Sequence, residues 1–127
     1  MLRTRTSIAL LVALAASAVA VASALARPAG APTLVGTVGK NDAYKITLTS
    51  AGGKLVKTLK AGTYKLVIHD DSSIHNYELD GPHGKSWTFT TVPFKGTKTF
   101  TLKLVPGAYK AYCAPHESVM FQHFTVM

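Results

Sequence analysis

Cysteine is nearly missing from this chain: Cys113 is the only one among 127 residues, so no disulfide can form within the molecule. Arginine is missing beyond Arg27, and the lysines that follow stand singly (Lys54, Lys57, Lys60, Lys65, Lys95, Lys98, Lys103, Lys110). Basic charge scattered in this way marks a solvated face and speaks against a dedicated nucleic-acid surface. Acidic residues are few, six against 14 lysines and arginines, which inclines the surface toward acidic partners. Helical periodicity, internal repeats and low-complexity stretches are lacking beyond the N-terminal region. No Ser-His-Asp or Cys-His hydrolase arrangement with an identifiable orienting residue occurs, and there is no second ligand cluster of the kind a multi-site metalloenzyme needs. These absences leave little room for an enzyme.

What is present begins with an export signal. Arg3 and Arg5 precede an uncharged apolar run, Ile8 to Val21, and Ala24-Leu25-Ala26 fits an A-x-A cleavage pattern. Residues 1–26 therefore read as a secretory signal peptide. The stretch from Ile8 to Ala26 approaches the length of a membrane span, but its alanine-rich character and the cleavage pattern weigh against a retained anchor. No cysteine follows the run, so a lipoprotein attachment site is not expected. Cleavage after Ala26 removes Arg3 and Arg5 and leaves 12 basic and six acidic residues, a net charge of +6. The remainder is about one domain, a flexible Pro- and Gly-containing lead-in over 27–33 and a folded unit over 34–127. The expected location is periplasmic or extracellular, with membrane association only if the signal is retained. In an oxidising compartment cysteines favour pairs. A solitary Cys113 is then a buried thiol, an intermolecular bridge, a reactive group or a metal ligand.

The folded unit reads as strands. Tyr44, Ile46 and Leu48 alternate with Lys45, Thr47 and Thr49, the period of a half-buried strand. Ala51-Gly52-Gly53 turns the chain into a strand over 54–59, and Lys60-Ala61-Gly62 turns it again. Tyr64, Leu66 and Ile68 then share one face, and Phe100, Leu102 and Leu104 share another. Pro106-Gly107 leads into Ala108 to Cys113, and Phe124-Thr125-Val126 closes the chain. Seven or eight short strands with regular turn signals predict an all-β sandwich. Trp87, Phe89 and Phe94 belong to its core or sheet faces.

Strand phase aims the cysteine. Tyr109, Ala111 and Cys113 lie on one face and Lys110 and Tyr112 on the other, so with Lys110 toward water Cys113 points inward at a strand end. The loop that follows, Ala114-Pro115-His116, is stiffened by Pro115 and can fold His116 back toward the sulfur. Met120 lies four residues further on, and His75 sits on what could be a neighbouring strand. Two imidazoles, a thiolate and a thioether make up a trigonal His₂Cys copper site with a weak axial methionine. Soft sulfur favours Cu(I) and imidazole suits both oxidation states, so copper changes charge there with little rearrangement. His69 beside Asp70 and Asp71, and His83 in Gly81-Pro82-His83-Gly84, read as surface residues. His123 faces away from the core if Phe124 faces in, although Phe121-Gln122-His123 could alter access to the metal or offer a competing imidazole.

These residues resemble the cupredoxins, the plastocyanin, pseudoazurin and azurin family of type 1 copper proteins. The likeness rests on His75-Asn76, Gly107-Ala108-Tyr109, and Cys113-x-Pro115-His116 followed by Met120. It implies a Greek-key β-sandwich in which one copper ion is held by His75, Cys113 and His116, with Met120 axial. It also implies that the Asn76 side chain ties the His75 loop to the Cys113 loop, and that Tyr109 packs within the sandwich. In this family a backbone N–H two residues beyond the cysteine can bond the sulfur; here that position is Pro115, which has none. The implied role is a monomeric one-electron carrier that meets redox partner proteins through an acidic docking face on their side. The alternative is an extracytoplasmic copper chaperone or scavenger without redox turnover.

Overall fold

The structure, a computed structural model, describes residues 30–127; the expected signal peptide and the first three residues of the lead-in lie outside the described residues. Nine strands form two sheets. β1 (Thr33–Val38), β2 (Ile46–Ser50), β4 (Gly62–Asp70) and β7 (Gly96–Leu104) make a four-stranded sheet in the order β2-β1-β4-β7. β3 (Thr58–Leu59), β5 (Glu78–Asp80), β6 (Ser86–Thr88), β8 (Gly107–Tyr112) and β9 (Phe121–Val126) make the other, ordered β3-β9-β8-β5-β6. Most neighbours are antiparallel; β1 runs parallel to β4 and β3 parallel to β9. No helix among the described residues is long and apolar enough to cross a membrane. The architecture is the all-β sandwich that the turn spacing predicts.

Side-chain alternation explains which faces meet. In β4 the inward set is Tyr64, Leu66, Ile68 and Asp70, all buried, and β1 contributes Leu34 and Val38. From the second sheet Leu79, Tyr109, Ala111, Phe124 and Val126 close the core. Tyr109 stacks on Phe124 with centroids 5.1 Å apart and on the half-buried Trp87 at 6.5 Å. Its hydroxyl donates to the Val105 carbonyl at 2.9 Å and accepts from the Val105 N–H at 3.1 Å. Gly81 makes room for that ring, since a Cβ there would come within 2.7 Å of it.

Several strand boundaries differ from the sequence reading. β1 pairs on both sides in its sheet, yet its run Thr-Leu-Val-Gly-Thr-Val carries no turn signal that marks it off from the lead-in. The strand expected over 54–59 is reduced to Thr58–Leu59 plus one bridge between Thr49 and Leu55. Two backbone bonds flank that bridge, from the Val56 N–H to the Leu48 carbonyl (3.0 Å) and from the Ser50 N–H to the Lys54 carbonyl (2.8 Å), and a side chain adds to them: Gln122 of β9 donates to the carbonyls of Leu48 (3.1 Å) and Val56 (2.8 Å) and accepts from the Leu48 N–H (2.7 Å). Tyr44 is not part of β2. The Lys45 N–H turns back to the Ala43 carbonyl at 2.8 Å and the Gly39 N–H bonds the Lys45 carbonyl at 3.1 Å. This turn breaks the alternation before Ile46 and leaves Tyr44 58% exposed. Phe94 lies in the loop before β7, half-buried, with the Lys98 ammonium 4.4 Å from its ring centroid.

Candidate metal centre

The two loops that carry the sequence candidates are each fixed by short hydrogen bonds. After β4 the Asp71 N–H bonds the Val38 carbonyl at 3.0 Å, and the His75 N–H reaches the Ser72 carbonyl at 3.4 Å. Tyr77 then anchors the far side, its N–H donating to Thr90 Oγ1 at 2.8 Å. After β8, residues Ala114–His116 form one 3₁₀ turn with Pro115 in its first positions. Within it the His116 N–H bonds the Cys113 carbonyl at 3.1 Å. The loop closes on itself, because the Met120 N–H bonds the His116 carbonyl (2.8 Å) and the Cys113 N–H bonds the Met120 carbonyl (3.1 Å). Asn76 joins the two loops: its Oδ1 accepts from the Ala114 N–H at 2.8 Å, and its Nδ2 donates to Glu78 Oε1 at 2.8 Å.

His75, Cys113 and His116 meet there. The two Nδ1 atoms are 3.0 Å apart, and each is 3.6 Å from Cys113 Sγ. A triangle of these sides has a centre about 2 Å from every corner, the bond length of imidazole to a first-row metal and a few tenths of an ångström short of that of thiolate, about 2.3 Å. Among the described residues these three form the one cluster of His, Cys, Asp or Glu able to hold a metal ion. Cys113 and His75 are fully buried and His116 is half-buried. Burial pushes the Cys113 thiol up, opposed by the backbone N–H groups of Asn76 and His116 beside it. An exchangeable proton on a buried soft sulfur facing two imidazole nitrogens suits displacement by a cation. The donors fit a type 1 copper site and a single copper ion.

Met120 is 1% exposed and packed in the core, bonded through its backbone to both Cys113 and His116. Pro115 is exposed on the turn. His69, bonded through Nδ1 to Thr97 Oγ1 at 2.9 Å, and His83, exposed in the turn Pro82–Gly84, stand apart from the cluster. His123 is exposed beside Phe121 and does not join it either, while Gln122 bridges the sheets as described.

Two neighbours of the site escaped the sequence reading. Tyr44 packs edge-on against both imidazoles, with centroids 5.0 Å from His75 and 4.7 Å from His116. Nothing local announces this, since it depends on the turn at Ala43. Asp70 is fully buried at the end of β4, and here a signal existed: it shares strand phase with Tyr64, Leu66 and Ile68.

The fold is that of the cupredoxins. A methionine-to-glutamine variant of rusticyanin aligns over 75% of this chain and 76% of its own with a TM-score of 0.53 at 16% identity. Reduced rusticyanin aligns over 75% and 78% with a TM-score of 0.52 at 16% identity. A purple cupredoxin from Nitrosopumilus maritimus aligns over 76% and 99% with a TM-score of 0.43 at 18% identity. No family model and no curated protein sequence matches the chain.

Proposed function

We propose that the protein is a one-electron carrier that works outside the cytoplasm, with copper held by His75, Cys113 and His116 and with the Met120 thioether as a weak axial donor. The observation that carries this reading is the convergence of the two Nδ1 atoms and Sγ at 3.0 and 3.6 Å. When bound, copper supplies the redox chemistry by alternating between Cu(II) and Cu(I). The chain does the rest. The closed loop from Cys113 to Met120 and the Asn76 link hold the donors in one arrangement, so little reorganises when charge changes. Burial of His75 and Cys113 excludes water from the sulfur. The half-buried His116 ring brings the site to the surface, where the exposed Tyr44, Ile74 and Val119 offer an apolar contact for a transient partner. Burial of these donors also disfavours the chaperone alternative, which needs ligands accessible to a receiving protein.

The test is the visible and EPR spectrum of the purified protein after Cu(II) addition. An intense thiolate-to-Cu(II) band with reversible reduction is expected, and Cys113→Ser abolishes the band. A wild-type protein that binds Cu(II) without the band would overturn the type 1 reading.

A further inference from the structure

Among the described residues two buried side-chain atoms have no hydrogen-bond partner: Asp70 Oδ2 and His75 Nε2. One is an acceptor and the other a nitrogen able to donate. Both residues are 0% exposed, and the same small region of the fold encloses them. Asp70 Oδ1 accepts from the Ser72 N–H at 3.3 Å, and the Ser72 carbonyl accepts from the His75 N–H at 3.4 Å. Gly39 closes the region from the β1 side. A Cβ there would come within 2.4 Å of Ser72 Cβ and 2.8 Å of His75 Cδ2, the ring carbon bonded to Nε2.

Chemistry pairs the two orphans. If His75 holds an ion through Nδ1, that nitrogen gives its lone pair, and the ring proton must sit on Nε2. A buried N–H without an acceptor is costly, and a buried carboxylate oxygen without a donor more so. Burial pushes the Asp70 carboxyl up; the Thr90 hydroxyl, the Ser72 N–H and the charge of His75 pull it down, and Asp71 pushes it up slightly. One water bound to both of these buried polar groups would satisfy the acceptor and the donor together.

Building on the copper reading, we propose that Asp70 is a positioning residue of the metal centre, taking the Nε2–H of His75 through one bridging water and holding the ring with Nδ1 turned toward Cys113 and His116. An acceptor behind the ring also makes the imidazole a stronger donor, which favours the more highly charged oxidised ion.

The experiment uses the copper-loaded full chain. In the diamagnetic Cu(I) form, ¹⁵N-histidine NMR should show His75 protonated at Nε2, with that proton protected from exchange. In Asp70→Asn the protection should drop at least tenfold, the reduction potential should rise, and Cu(II) affinity should fall about tenfold, the low end for outer partners of metal ligands. Ser72→Ala, which disturbs the same region but leaves the carboxylate, should lower thermal stability and leave the potential in place. A folded Asp70→Asn protein with wild-type potential and unchanged exchange would overturn the proposal. Should that variant not fold, the wild-type spectrum decides: an unprotected or unprotonated Nε2 overturns it. Failure of the copper reading has a different signature, the missing visible band of the wild type.

Discussion

Pro115 withholds a donor from the sulfur of Cys113. The backbone N–H groups that oppose burial of the thiol come from Asn76 and His116, on either side of it in sequence, and Pro115 can add none. A thiolate with fewer donors is richer in electron density and stabilises Cu(II). Pro115→Ala should therefore raise the reduction potential, measured by voltammetry, while the visible band persists. A lower or unchanged potential, with the new N–H seen against the sulfur, would refute this. The substitution also frees the unfolded chain, so a loss of about 0.4–1 kcal/mol of stability is expected alongside. At this scale strand parity made much of the site legible. It aimed Cys113 inward, and the same parity applied to β4 would have drawn attention to Asp70. Tyr44 was not legible, because its place depends on a backbone turn formed by Gly39, Ala43 and Lys45 rather than on any pattern of side chains.

The elements show where pattern reading stops. β4, β7, β8 and β9 carry their own alternation and turn residues, so the sequence marks them. The segment from Lys54 to Leu59 carries strand-like residues but meets β2 through only a few backbone bonds, and Gln122 of β9 adds a link across the sheets to Leu48 and Val56. No local pattern foretells such a cross-sheet link. Its three hydrogen bonds join β9 to Leu48 of β2 and to Val56. Gln122→Ala should cost about 2 kcal/mol, since part of the lost bonding passes to water, and should lower the Tm by roughly 10 °C in a domain of this size. Thermal denaturation followed by circular dichroism checks this. The visible copper band should be unaffected, because Gln122 touches neither ligand loop. A bleached band would mean that the seam supports the site directly.

At the scale of the whole molecule, charge is the property that sequence alone reports best, and the fold adds where it lies. The portion beyond Ala26 carries a net charge of +6, most of it on lysines exposed in the loops and on the four-stranded sheet. Such a field speeds encounter with acidic partners, and salt weakens it as the screening length shortens. Oxidation of the reduced protein by an anionic metal complex should slow as ionic strength rises, and oxidation by a cationic complex should quicken. Stopped-flow measurement of both settles it; the same salt trend for each reagent would show that the local field at His116 is not positive.

The long outer strand β7 gives those lysines a second consequence. It bonds to β4 along nine residues and leaves its other side as the border of the sheet, with Lys98 and Lys103 exposed upon it and Lys95 just before it. A bare border of that length is a template on which another copy of the chain could add its own strand and begin a fibril. Cations placed there make two such borders repel, so the charge that would draw a partner of opposite sign also opposes edge-to-edge pairing of two copies.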